Sequence, residues 1–405
     1  MRELYKIGNI PVIYEKVTSL PGLFTISVFF DTGSSNETAQ NNGVSHFIEH
    51  MAFRGTKDFT SEEISRLSEM YGGYMNAYTS KETTAYYIKG FSGNLELFIQ
   101  LMANICFHPR FDKDDFLNEK QIIIDEINSV MDNPEEFLGE AAELELFRGC
   151  SLEYPVSGTA ETVEALELED ITKFYNTNYI AENCIISVCG DVEKADVVKY
   201  ITKYFPDTKE SIAGVKPHYQ PVYNTLSKDF QFKSGQSYVQ LLYPAFQYSD
   251  PKRYALSGCT MLLGGLMSSR LFQEIREKRG LCYNIEAESV LYKSAGYVNI
   301  LYSCSDANKD KVQELVIKEI NKMIKHGITD DELTMIKNQL KFSYASNFET
   351  LESRVQMNFR HIYHYGRLLE SDDILHRIDD LDKKQVHDTA ETILNKEFSV
   401  CRLVQ

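Results

Sequence analysis

The sequence predicts an α+β protein built as two homologous domains, each a largely antiparallel sheet with helices packed on one face. Three observations carry that expectation. The chain has 405 residues, and about 150 residues per domain leaves room for two or three cores. Segments repeat in the same order at an offset of about 215 residues. Within each copy strand-like runs precede long helical ones, and a helix leads into a closing strand, which is the order of an α+β domain.

The elements justify themselves in turn. TISVFFDTG, residues 25–33, is rich in aromatic and β-branched residues and reads as a strand, and SYVQLLYPA at 237–245 is its counterpart. MNAYTSKETTAYYIKG, 75–90, reads as paired strands around a turn. LELFIQLMANICF at 95–107 and NKDKVQELVIKEINKMIKHG at 308–327 are helical by apolar spacing. DDFLNEKQIIIDEI, 114–127, is answered by DDELTMIKNQLKFSY, 330–344. LEDITKFYNTNYIAENCIISVCGDV, 168–192, runs from helix to strand, and LDKKQVHDTAETILNKEFSVCRLVQ, 381–405, repeats that plan. The expected domains are 1–210 and 230–405. Residues 211–229 form the expected linker, inside a polar stretch, 205–229, that holds three prolines. LLGGLMSSRLF, 262–272, matches neither GxGxxG nor GxxxxGK[ST], so it reads as a loop and not as a phosphate cradle.

Composition narrows the function. The net charge is −17, from 42 basic and 59 acidic side chains. Nonspecific nucleic-acid binding needs basic patches that displace counterions, so nucleic acid is not an expected partner, and neither is anionic lipid. No apolar run approaches the ~18 residues of a membrane span. Residues 1–16, MRELYKIGNIPVIYEK, lack an apolar core and a small-residue cleavage pattern, so no secretory signal is expected. The eight cysteines are scattered without a CxxC pair. They read as reduced, mostly buried thiols of a cytoplasmic protein.

The chemistry concentrates in NNGVSHFIEHMAFRGT, 41–56, where His46, Glu49 and His50 crowd into five positions of a chain with nine histidines. On a helix a spacing of four stacks both imidazoles on one face, one turn apart, which is how two nitrogen ligands reach one metal ion. Glu49 lies beside them, able to act on water and not needed as a ligand. Composition gives only about 0.03 accidental matches to H-x-x-E-H, the inverted form of the zinc-protease helix. A catalytic zinc takes three protein ligands and keeps a position open, so a third ligand is expected further along. FLNEKQIIIDEINSVMDNPEEF holds Glu119 and Glu126, seven apart on one helical face. The competing explanations are an amphipathic helix whose histidines merely cap a core, and a solvated acidic face for the two glutamates. His361 and His364 have i, i+3 spacing, but no nearby carboxylate pattern completes a site.

His46-x-x-Glu49-His50, followed by a helix with Glu126 that ends in D-N-P-E-E, resembles the pitrilysin/insulin-degrading-enzyme family of inverted zinc peptidases. The chain length is similar to that of its mitochondrial-processing-peptidase-like members. The resemblance implies a clamshell of two like domains and one Zn2+ per chain. His46, His50 and Glu126 match the zinc ligands, Glu49 the general base that activates zinc-bound water, and Glu119 a carboxylate behind the ligands. Arg276 and Tyr283, in SSRLFQEIREKRGLCYNI at 268–285, resemble the arginine–tyrosine pair of the second domain. Such donors, reaching across from the facing domain, would stabilise the oxygen where charge develops. Asn76, Ala77 and Tyr78 resemble the family's substrate strand, to which an extended peptide adds as another strand.

The expected activity is that of a zinc metalloendopeptidase on peptides or unfolded segments. The alternative is a non-catalytic peptide-binding or scaffold subunit of the same fold. The expected assembly is a homodimer, or a heterodimer with a related chain. Positions equivalent to His46, Glu49 and His50 fall near Cys259, Leu262 and Leu263, and that of Glu126 near Phe342, so the second domain is expected to lack the metal.

Overall fold

Apolar alternation draws the chain into two sheets that repeat one plan. The structure, a computed structural model, describes residues 2–205 and 219–404. Of the expected linker, 211–229, residues 211–218 lie outside the described residues. The first half runs β1 (Arg2–Ile7), β2 (Ile10–Lys16), β3 (Leu23–Phe30), α1 (Val44–Ala52), α2 (Ser61–Met70), β4 (Tyr74–Thr79), β5 (Thr84–Phe91), α3 (Leu95–Phe107), α4 (Lys113–Asp132), α5 (Pro134–Leu146), α6 (Ala160–Ala165), α7 (Leu168–Asn178), β6 (Cys184–Gly190) and α8 (Lys194–Tyr204). The second runs β7 (Ser227–Gln231), β8 (Ser237–Ala245), α9 (Arg253–Thr260), β9 (Asn284–Leu291), β10 (Gly296–Cys304), α10 (Lys309–His326), α11 (Asp330–Ser346), α12 (Leu351–Tyr365), α13 (Ser371–Asp379), α14 (Lys383–Leu394) and β11 (Ser399–Val404).

The sheets are ordered β1-β2-β6-β3-β5-β4 and β7-β11-β8-β10-β9. Without β1 the two orders superpose strand for strand. Even the one parallel pair recurs, β2 with β6 and β7 with β11, in otherwise antiparallel sheets. The segments repeated in sequence are therefore one fold used twice, and the α+β class holds.

The compact units differ from the contiguous halves expected from the sequence. One gathers residues 2–129, 154–205 and 347–368, the other 130–153, 219–346 and 369–404. Each half thus lends the other an equivalent helix, α5 in one direction and α12 in the other. Side-chain alternation explains why. On β3, Phe24, Ile26, Val28 and Phe30 enter the core with α1 and α3, while Phe29 points to the opposite face and stacks on Phe359 of α12, ring centroids 3.9 Å apart. On the second sheet Leu242, Leu301, Cys401 and Leu403 bury against Leu138, Ala142 and Leu146 of α5. Pro134, which cannot extend α4, sits at the first position of α5 beneath the cap Asn133, whose Oδ1 accepts from Glu135 N at 3.0 Å.

The stretch 262–272, expected as a loop, is corrected in part. Residues 261–265 and 272–277 form wide helical turns. Gly264 permits the first, because a Cβ there would lie 2.5 Å from the Ala287 backbone nitrogen on β9. All eight cysteines carry free thiols and all but Cys150 are buried.

Polar anchors supplement the apolar contact of α12. Arg354 Nη1 donates to the buried Glu15 Oε1 at 2.7 Å, and Asn358 Nδ2 to its Oε2 at 2.8 Å. Removing one partner of a buried pair leaves an uncompensated charge at a cost of roughly 3–5 kcal/mol. Arg354→Met is expected to lower the urea midpoint of the unit that holds β2. Adding Glu15→Leu should recover part of that loss, because no charge is then left buried.

Candidate functional site

α1 is a short helix with a poor start of its own. Its cap, Gly43, has φ +98° and no side chain to accept the first free N–H groups. Glu37 supplies that acceptor from outside the helix. Its buried carboxylate receives Ser45 N at 2.8 Å, Gly43 N at 2.7 Å and Asn42 Nδ2 at 2.8 Å. Burial pushes the Glu37 pKa up, and those donors partly offset the rise. Phe47, Ile48 and Met51 bury the helix's apolar side, and Phe47 stacks on Phe116 of α4 at 4.9 Å, which brings the two helices together.

α4 answers with a buried stripe of Phe116, Glu119, Ile123 and Ile127. Glu119 stands where an apolar residue would be expected, and two turns later Glu126 projects toward solvent. The consequence is a cluster. His50 Nε2 lies 3.4 Å from Glu126 Oε2, and His46 Nε2 lies 3.9 Å from the same oxygen. Ligand atoms of His46, His50 and Glu126 all fall within 4.8 Å of one another. Four-coordinate zinc with bonds of ~2.0–2.1 Å places its ligand atoms about 3.4 Å apart, so this donor set fits zinc with little movement.

The surroundings prepare the donors. Glu119 Oε2 lies 2.9 Å from His50 Nδ1, which leaves Nε2 for the cluster, and Arg54 pairs with the other carboxylate oxygen. Burial raises the Glu119 pKa, but His50 and Arg54 outweigh it and hold the carboxyl below the usual range. Burial lowers His50, yet its hydrogen bond to Glu119 and the charges of Glu126, Glu119 and Glu49 lift it above the ordinary value. Burial, with the neighbouring His50, lowers His46 to about 4, so that imidazole is neutral and able to ligate near pH 7. Its Nδ1 is buried without a hydrogen-bond partner. Glu49 is not in the ligand cluster. Burial pushes its pKa up, and Thr79 Oγ1 at the end of β4 donates to its Oε2 at 2.5 Å.

Asn76, Ala77 and Tyr78 lie on β4, the outer strand of its sheet. Asn76 lines one depression with Glu49, His50, Phe53 and Arg54. The Tyr78 hydroxyl donates to Gln356 of α12 at 3.0 Å. Arg276 and Tyr283 belong to the other unit, where the guanidinium lies 6.0 Å from the phenol ring centre and Tyr283 is 74% exposed. Sequence reasoning missed Glu37 and Thr79. Glu37 had no signal beyond an acidic residue shortly before an uncapped helix, and Thr79 none beyond its place in an edge strand.

With this geometry in hand, comparison with known proteins is decisive. Residues 23–160 match the family described as insulinase, peptidase family M16, and residues 165–340 match the peptidase M16 inactive domain. The chain belongs to peptidase family M16. An uncharacterised zinc protease of Bacillus subtilis is 28% identical over 93% of this chain and 91% of its own length. An uncharacterised zinc protease of Streptomyces coelicolor is 28% identical over 97% and 87%. Among solved structures, a protease from Helicobacter pylori superposes with TM-score 0.91 at 22% identity, covering 100% of this chain and 99% of that one. An M16 inactive domain from Pseudomonas fluorescens gives TM-score 0.92 at 20% identity, covering 99% and 98%. The ligand cluster lies within the part matched by the insulinase description, and Cys259, Leu262 and Leu263 within the inactive-domain match.

Two expectations follow from this geometry. Glu119→Gln removes the charge behind His50, and loss of such a support typically weakens metal binding by about 10–100-fold; competition with a chromogenic chelator measures it. Glu37→Gln turns an NH2 toward a backbone N–H, and an unmet buried donor costs about 1–3 kcal/mol. Denaturant unfolding should register that loss, with weaker zinc retention accompanying it.

Proposed function

We propose that this chain is a zinc-dependent endopeptidase that cleaves extended peptides or unfolded segments. The observation that carries the reading is the convergence of His46, His50 and Glu126 beside a half-buried Glu49 that lies outside the ligand cluster. His46, His50 and Glu126 hold the ion, one per chain. Zinc bound there supplies a Lewis acid that acidifies water and polarises the scissile carbonyl.

Glu49 takes one proton from the attacking water as its oxygen bonds to the carbonyl carbon. It then delivers that proton to the leaving amine nitrogen as the C–N bond breaks. Burial suits the task, because a raised carboxylate pKa makes Glu49 a stronger base. Thr79 holds one carboxylate oxygen and leaves the other for water. Arg276 and Tyr283, a cation and a phenol side by side, are assigned as donors to the developing oxyanion.

Asn76, Ala77 and Tyr78 are assigned to the strand that a peptide joins. The edge itself supports this. Of the four sheet edges, β1, β7 and β9 carry Arg2, Glu3 and Lys6, Lys228 and Asp229, and Glu286 and Glu288, whereas β4 has no charged side chain. Edges are normally guarded by charge. An unguarded one beside Glu49 suits strand addition, which recognises backbone and tolerates many sequences.

The rival reading, a non-catalytic scaffold or peptide-binding subunit, needs no general base, and here that residue and all three ligands are present together. No helix among the described residues is long and apolar enough to cross a membrane. Eight free thiols support a reducing, cytoplasmic setting. A homodimer is the assembly proposed, each chain carrying both constellations.

The test is a mixed peptide library incubated with the zinc-loaded protein, with and without chelator, cut sites being read by mass spectrometry. Cleavage is expected only without chelator. Glu49→Gln should keep one zinc per chain and lose turnover by about 100-fold or more. Full turnover in that variant would remove Glu49 from the mechanism.

A further inference from the structure

Large apolar side chains left in water are informative when they cluster. Four do so where β4 begins: Met70 is 66% exposed, Tyr71 40%, Tyr74 57% and Phe91 54%. The turn that joins Tyr71 to Tyr74 brings Gly72 against the Phe91 ring. Gly72 has φ +71°, and a Cβ on it would lie 2.7 Å from that ring. Tyr74 sits over Tyr87 of β5, ring centres 6.3 Å apart, and its hydroxyl accepts from Asn76 Nδ2 at 3.2 Å. The patch is therefore continuous with the uncharged edge, and its rings are braced before any ligand arrives.

Strand geometry fixes what such a patch meets. Tyr74 lies five residues along β4 from Thr79, the residue that holds Glu49. At about 3.3 Å per residue that is ~17 Å from Thr79. Side chains directly opposite one another on paired strands share a face. A peptide residue paired with Tyr74 thus turns its side chain onto the aromatic cluster.

Resting on the reading of β4 as the strand that a peptide joins, we propose that Met70, Tyr71, Tyr74 and Phe91 form a remote subsite for an apolar or aromatic side chain of the substrate, four to six residues from the scissile bond. The preferred substrates are unfolded peptides long enough to reach it. Burial of one such side chain in a braced apolar site is expected to improve kcat/KM by about tenfold, through KM, relative to serine at the same position.

The experiment moves a single phenylalanine stepwise through an otherwise polar peptide of fixed length with one defined cut site, using the zinc-loaded full chain. The expected profile has one maximum, four to six residues from the cut on one side only. A flat profile with cleavage intact overturns the subsite and leaves the peptidase reading standing. Affinities of the same peptides for Glu49→Gln, read by fluorescence anisotropy, make the comparison without turnover. Absence of hydrolysis then counts against the peptidase reading alone, while a flat affinity profile overturns the subsite. Tyr74→Ser combined with Phe91→Ser should level the maximum, and a maximum retained in that folded variant overturns the assignment.

Discussion

One carboxylate holds the candidate centre together. Glu119, buried in the stripe where α4 meets α1, bridges the His50 imidazole and the Arg54 guanidinium. A lone charge in that position would be strongly unfavourable, and two opposite partners make it tolerable. The same contact does three jobs. It fixes which His50 nitrogen is left for a ligand, aligns the two helices, and through a seven-residue interval sets where Glu126 emerges. The nearness of Glu126 to both imidazoles follows from that alignment and from the Phe47–Phe116 stack, with no further device.

Much of this was legible in the sequence because it is periodic. A four-residue interval, a seven-residue interval and alternating strands each express backbone geometry directly: they put His46 and His50 on one face and Glu119 and Glu126 on another, while the roles of the two glutamates rested on the family resemblance. The repeat was legible because the two halves keep the same order of elements. What escaped was non-local. Nothing in residues 134–146 or 351–365 announces which sheet their apolar faces will cover, since a helix pattern gives a face and not a partner. Glu37 escaped for a related reason. Acceptors for free N–H groups are sought at the cap position, and here the cap is Gly43 while the acceptor lies several residues upstream. The wide turns at 261–277 were hidden because glycine there reads as a breaker, whereas Gly264 serves close packing on β9.

The reciprocal exchange of α5 and α12 bears on the function assigned. Both faces of each sheet are apolar, so a sheet covered on one side only would leave Phe29 and its equivalents in water. Covering the second face with the other half's helix makes neither half complete without the other's segment. In the unit that holds the cluster, α12 also reaches the edge strand through Gln356 and Tyr78. The strand beside Glu49 is thus braced from behind by a helix of the second half. A strand held on one side and bare along its edge is well suited to pairing with an extended chain, because the ordering has already been done.

The second copy shows the same frame with other residues where the ligands would lie. Near the positions that the repeat offset pairs with His46, Glu49 and His50 it has Cys259, Leu262 and Leu263, all buried, and the Cys259 thiol donates to the Val386 carbonyl at 3.2 Å. Its helix closes on β9, as the near contact of Gly264 with Ala287 records. A ligand cluster has to stay partly wet, so His46 and His50 leave a face of α1 unfilled, whereas the second copy fills that face with core. The edge strands diverge in step. Where β4 reads Asn76-Ala77-Tyr78, β9 reads Glu286-Ala287-Glu288. Two carboxylates on an edge repel an approaching strand and would also burden an oxyanion-forming reaction nearby. The two differences fit together: where no ligand set lies beside it, an open strand edge is a site for unwanted pairing, and edge charge closes it. The uncharged edge of β4 beside an intact ligand set is the same logic in the other direction, and it ties the peptide-binding assignment to the metal-binding one through a feature that neither motif contains.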